Sequence, residues 1–265
     1  MRKLRSGKLV AAFAVLLVVS FAVMNAMPSD TLPAALLQET VLALVAFAAV
    51  GFAIPDALKR CTQTVQQRSI VRFTAITLLL VGLVGGAITL LAWLFAGGGN
   101  MAGFASTALP STADLMENLL LLLGICLLTG LYEESFMRVL GIEAFERALD
   151  TKRAILASAA LFALLHVGAL DVSAGQLVLL QAVLKFGQAL LFSVILGALY
   201  VRTRRLWPCA FIHAGFDVLY MAPNVLLTGT MPETYASGAV GDTVLLAVSV
   251  LMLSGIVLKI RKEIA

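Results

Sequence analysis

The chain has 265 residues, of which 61% are hydrophobic and only 13% charged, with a mean hydropathy of +1.00. A water-soluble domain carries about 25% charged residues and about half apolar ones, and one core cannot hide this much apolar chain near this length. The composition therefore excludes a soluble enzyme, a disordered tail and a disulfide-stapled secreted module, and implies a polytopic membrane protein. The net charge of +4 invites an acidic partner, but the placement of the basic residues gives it another origin.

A spanning helix needs about 20 mostly apolar residues. Eight stretches qualify, near 9–27, 33–54, 73–96, 116–136, 154–170, 176–201, 206–227 and 242–260. Lipid offers backbone groups no partners, so isolated strands are excluded and the expected fold is all-α. Residues 1–265 read as a single membrane domain. The first apolar run, Leu9 to Met24, is longer than a signal-peptide core and reads as an uncleaved first span. Pro223 falls in the last turn of the seventh span, where it is expected to end the helix early.

Orientation follows from lysine and arginine. With the N-terminus in the cytoplasm, 18 of the 19 basic residues fall before the first span, in the loops 2–3, 4–5 and 6–7, or at the end of the last span. The remaining one, Lys185, lies inside the sixth span, and the outer loops hold none. The positive charge thus marks the cytoplasmic face and its anionic lipid rather than nucleic acid. Both termini are expected in the cytoplasm and the protein in the plasma membrane. Cys126 and Cys209 lie in apolar segments and Cys61 in a basic loop, which describes no disulfide framework.

Ionisable groups within spans are costly and mark functional candidates. In Glu133-Glu134-Ser135-Phe136-Met137-Arg138, Glu134 and Arg138 are four apart on a helix with the acid first, the favourable order for an ion pair. Glu133 is rotated about 100° away, which leaves it free to act as a general base. Taken alone, the string also fits a solvated helix end. The chain's only two histidines both lie in apolar segments: His166 closes Phe162-Ala-Leu-Leu-His166, and His213 opens His213-Ala-Gly-Phe-Asp217. The i,i+4 spacing puts His213 and Asp217 on one face, where a carboxylate orients an imidazole. Two histidines and a glutamate make an open zinc ligand set, His166, His213 and Glu133. The same groups also activate water without metal, and the sequence leaves Zn2+ or no cofactor both open.

Glu-Glu-x-x-x-Arg, Phe-x-x-x-His and His-x-x-x-Asn/Asp, in this order and in separate spans, resemble the CPBP family. This family comprises type II CAAX prenyl endopeptidases and bacteriocin-processing or bacteriocin-immunity membrane proteins. The resemblance covers roughly residues 115–225. It implies an intramembrane glutamate- or metal-dependent peptidase with a conical cavity open to the cytoplasm, acting on a peptide substrate that is lipidated or membrane-associated. By motif position it implies catalysis by Glu133, His166, His213 and Asp217, with Glu134, Arg138 and Phe162 in support. The third motif more often ends in Asn than in Asp217. A peptide-binding immunity protein of the same fold and a proton-coupled transporter are the rival readings.

Three further features invite a role. Gln181, Lys185 and Gln188 form a polar stripe that either lines a cavity or bonds a neighbouring helix. Cys209 reads as a buried thiol, and Glu39 as a partner for a neighbouring helix. Helix 4 as bounded above places Glu133 near its cytoplasmic end, yet His166 lies about 18 Å into the fifth span. They meet only if the fourth helix continues past Arg138 within the membrane. The topology is checked with a reporter fused after Ala265, expected to be active on the cytoplasmic side. Activity on the outer side alone would overturn the orientation.

Overall fold

The computed structural model describes residues 2–27, 29–62, 68–96, 110–167, 175–231 and 237–264. Among them there are helices and no strands. The order is α1 (Arg2–Ala26), α2 (Leu32–Ala53), the short α3 (Pro55–Thr62), α4 (Arg68–Ala96) and α5 (Thr112–Glu134). A π-helical segment (Ser135–Ile142), α6 (Glu143–Phe145), α7 (Thr151–Val167), α8 (Gln176–Thr203), α9 (Leu206–Thr228) and α10 (Val240–Ile264) follow. Among the described residues, seven helices are long and apolar enough to cross a membrane. The eighth expected span is α7, with 17 described residues. Residues 168–174 and the side chain of Cys61 lie outside the described ones. Outward-facing Val18, Leu44 and Leu251 are 65% or more exposed, which suits a surface solvated by lipid tails rather than water.

The condition that would bring Glu133 to His166 is met. The fourth span runs unbroken from Thr112 to Phe145, so Glu133 sits about 18 Å before its end. The continuation is a π-helix, whose wider turn is common at functional sites. Its Met137 carbonyl accepts a hydrogen bond of 2.7 Å from Ser158 on α7. Phe13 of α1 packs on the Phe136 ring at 4.9 Å between centroids. The segment is buried throughout.

Pro223 does not end its helix. α9 continues to Thr228, with Pro223 inside it. Proline lacks the N–H that would bond the carbonyl of Leu219, and Thr89 on α4 donates its hydroxyl to that carbonyl instead. A neighbouring helix supplying the missing donor is the usual way membrane helices tolerate proline.

α5 packs on α9 and α2, α9 also on α4, α7 on α8, and α8 on α10. α5 and α9 approach each other closely. A Cβ on Gly130 would come within 2.6 Å of the Ala210 carbonyl oxygen, so only glycine allows this approach. The polar stripe of α8 proves to be a helix–helix seam. Gln181 donates to Ala239 and Thr243, and Gln188 to Ser249 on α10. Lys185 donates to Gln188 at 3.2 Å. Glu39 faces Thr129 of α5, and Cys209 is a buried free thiol.

Polar contacts also tie the basic ends of the helices together. Arg60 of α3 and the Tyr200 hydroxyl both donate to Glu143, at 2.9 and 2.7 Å. Arg204 grips Glu146 through two hydrogen bonds of 2.7 and 2.8 Å. Burial would raise the Glu146 carboxyl, but Arg204 outweighs it and holds that carboxyl below its ordinary range. Arg205 donates to the Arg60 carbonyl, so three segments expected on one face meet there.

Gly130→Ala is expected to force α5 and α9 apart and lower stability by about 1–3 kcal/mol, the usual cost of overpacking. Thermal unfolding in detergent measures it, and a variant as stable as wild type would contradict the close approach.

Candidate active site

Glu134 is the hinge of the site. Its side chain is fully buried, and one oxygen pairs with Arg138 Nε at 2.8 Å. The other accepts from Arg138 at 3.1 Å and from His213 Nδ1 at 2.8 Å. Arg138, equally buried, donates to Ser193 of α8 at 2.7 Å and lies 5.1 Å from the centre of the Phe162 ring. The i,i+4 pair expected from sequence is therefore present. It also does something the spacing did not reveal, because Glu134 is the carboxylate that orients His213.

With Nδ1 donating to Glu134, the His213 ring turns Nε2 toward Glu133 and Asp217, whose carboxylate oxygens both stand 3.4 Å away. The shared face of His213 and Asp217 is as expected, but Asp217 does not take the orienting position. An aspartate one turn along the same helix reaches the far nitrogen, and Glu134 arrives from α5 at the near one. Phe192 of α8 closes the ring's other side, edge-on at 5.1 Å.

His166 is set by its own helix. Nδ1 donates to the Phe162 carbonyl at 2.9 Å, so in the neutral ring Nε2 carries the lone pair. That nitrogen stands 3.9 Å from Glu133. Phe162 stacks on the His166 ring with centroids 4.1 Å apart. Glu133 thus lies between two imidazole nitrogens, and its buried Oε2 has no hydrogen-bond partner among the described residues. The seven residues singled out from sequence, Glu133, Glu134, Arg138, Phe162, His166, His213 and Asp217, form one cluster. It draws on α5, the π segment, α7 and α9.

Glu133, His166 and His213 have the donor chemistry of an open zinc site. Among the described residues, however, no group of three His, Cys, Asp or Glu side chains is arranged to hold a metal ion. The arrangement is one of hydrogen-bonding groups around an unpartnered carboxylate oxygen.

Ser193 and Phe192 were not singled out from sequence. The signal was slight, a lone serine in the apolar run Leu-Phe-Ser-Val-Ile, off the register of the Gln181–Gln188 stripe.

Residues 115–219 match the family of Rce1-like type II CAAX prenyl endopeptidases. The resemblance to the CPBP family is thereby shown. The matched segment contains every residue of the cluster, while α1 to α4 and α10 lie outside it. No curated protein matches the chain. The Rce1-like match supports an intramembrane protease of the CAAX type at the level of the family, in a chain whose helices are those of an integral membrane protein.

Glu134→Gln leaves the Arg138 charge buried without its counterion. Removing one member of a buried pair costs about 3–5 kcal/mol, so this variant is expected to unfold at markedly lower temperature, while Glu133→Gln unfolds near wild type. Equal stability of the two in detergent melts would contradict the division of roles.

Proposed function

We propose that this protein is an intramembrane endopeptidase that hydrolyses a peptide bond of a membrane-associated, lipidated or hydrophobic substrate, with Glu133 as general base. The observation that carries this reading is the contrast between the two neighbouring glutamates. Glu134 is consumed by Arg138 and His213, whereas Glu133 Oε2 is buried beside two imidazoles with no hydrogen bond of its own.

A water that binds both Glu133 Oε2 and His166 Nε2 fits at ordinary hydrogen-bond distances of about 2.8 Å, because those atoms stand 3.9 Å apart. The Phe162 carbonyl keeps the proton on Nδ1, so Nε2 accepts from that water. As the water oxygen bonds to the scissile carbonyl carbon, its proton passes to Glu133 and the carbonyl π electrons move onto oxygen. His213, fixed by Glu134, directs Nε2 at the same space and donates to the oxyanion when that nitrogen carries a proton. Collapse of the tetrahedral intermediate re-forms the carbonyl and breaks the C–N bond. The proton held by Glu133 goes to the leaving amine. Asp217 faces His213 Nε2 at 3.4 Å.

Cleavage of an S-alkylated peptide by protein in liposomes tests the reading. Glu133→Gln is expected to lose about 100- to 10,000-fold in turnover, the range for a general base, with its fold intact. Chelation to metal-free protein, verified by elemental analysis, is expected to leave wild-type turnover unchanged. Loss on chelation with restoration by zinc would move catalysis to a metal. Tight peptide binding by a wild type that never cleaves would make the protein a binder of the same fold.

A further inference from the structure

A cavity of about 290 Å³ lies between α4 and α10, and no residue of the candidate site lines it. Leu80, Leu83 and Val84 form one wall, with Met252, Gly255, Ile256 and Lys259 opposite. Both sets follow the i, i+3, i+4 spacing of a single helical face, so two helix faces meet here without filling the space between them. Val84 and Ile256 are buried at the floor, whereas Leu83 is 56% exposed at the rim. A Cβ on Gly255 would meet nothing within 4 Å, so the groove is open at that point. Lys259 is the one polar side chain of this lining. It stands about 28 Å along α10 from Val240, at the edge of a hydrocarbon layer about 30 Å thick. This is the end of the bundle where lysine and arginine collect, and Arg72 lies there on the Leu83 face of α4, about three turns away.

We infer that this groove is a binding site for an anionic glycerophospholipid, with an acyl chain seated between α4 and α10 and a phosphate oxygen accepting from Lys259. The lining fits the two parts of such a ligand. Both walls are hydrocarbon and the rim faces lipid, which suits an acyl chain. Lipid tails are as apolar as the walls, so the chain is held by packing against the open floor rather than by burial. The cation at the membrane edge supplies the headgroup preference, since basic side chains there attract anionic lipid. A second copy of this chain suits the groove less well, because it would bring its own basic helix ends against Lys259. The position gives the lipid a structural role. α10 is bonded to α8 through Gln181 and Gln188, and α4 to α9 through Thr89. A lipid across α4 and α10 therefore ties together the two helices that brace α8 and α9 from outside. The inference stands apart from the peptidase reading, and no turnover enters its test.

The test is native mass spectrometry of the full chain released from detergent, with phosphatidylglycerol or phosphatidylcholine added, alongside thermal unfolding in the same mixtures. Wild type is expected to retain phosphatidylglycerol over phosphatidylcholine. Its Tm is expected to rise as phosphatidylglycerol is added, because a ligand of the folded state alone stabilises that state. Lys259→Gln is expected to weaken phosphatidylglycerol about fivefold, the factor that one lysine near an anionic surface supplies, and to leave phosphatidylcholine unchanged. Lys152→Gln removes an equal charge from α7, outside the groove, and is expected to behave as wild type. Gly255→Leu fills the floor without a clash and is expected to abolish both lipid retention and the rise in Tm. Lys259 is exposed, so its replacement spares the fold and its result decides even if the Gly255 variant is unstable. Equal retention of the two lipids by wild type overturns the inference, as does an equal effect of Lys259→Gln and Lys152→Gln. A mass of two copies that Gly255→Leu returns to one also overturns it, and makes the groove a contact between copies of this chain.

Discussion

A single buried carboxylate organises the centre of this molecule. Glu134 faces Arg138 on one side and His213 on the other, and each contact constrains a different helix. Through Arg138 it reaches Ser193 of α8 and the ring of Phe162 on α7. Through His213 it fixes α9. A charged group in a bilayer is tolerable only when it is paired, and here the pairing brings three helices into register. The geometry of the site and the stability of the bundle therefore depend on the same few contacts.

Close approach makes that register possible. Gly130 lets α5 lie against the backbone of Ala210, one turn from the two glutamates and one turn from His213. The same principle of locally satisfied backbone recurs where regular helix fails. Thr89 serves the carbonyl that Pro223 leaves without its donor, and Ser158 serves Met137 in the π-helical turn. In lipid these hydroxyls do what water would do elsewhere.

Much of this was readable from the chain, and the reasons are physical. Apolar runs and the placement of lysine and arginine specify spans without tertiary information, and the i,i+4 rule gives Glu134–Arg138 directly. The division of labour between Glu133 and Glu134 follows from that pair alone. What could not be read was lateral. Periodicity places His213 and Asp217 on one face but says nothing of a carboxylate arriving from α5, so the orienting role went to Asp217 on paper and belongs to Glu134 in space. Ser193 and Phe192 escaped for the same reason, as did the partners of the α8 stripe. Pro223 shows the converse. Its local rule is sound, and a threonine more than a hundred positions away in the chain overrides it.

The pairing of Glu134 with Arg138 within one helix bears on how such a bundle is made. Helices enter a bilayer in the order of synthesis, and α9 is translated long after α5. A lone charge at mid-membrane costs about 2.5–3.5 kcal/mol on insertion scales. Because Arg138 lies one turn beyond Glu134 in the same span, that span brings its own counterion into the lipid and need not wait for His213. The histidine then docks onto a charge pair already neutralised, and the last contact of the site to be synthesised is the one that completes it.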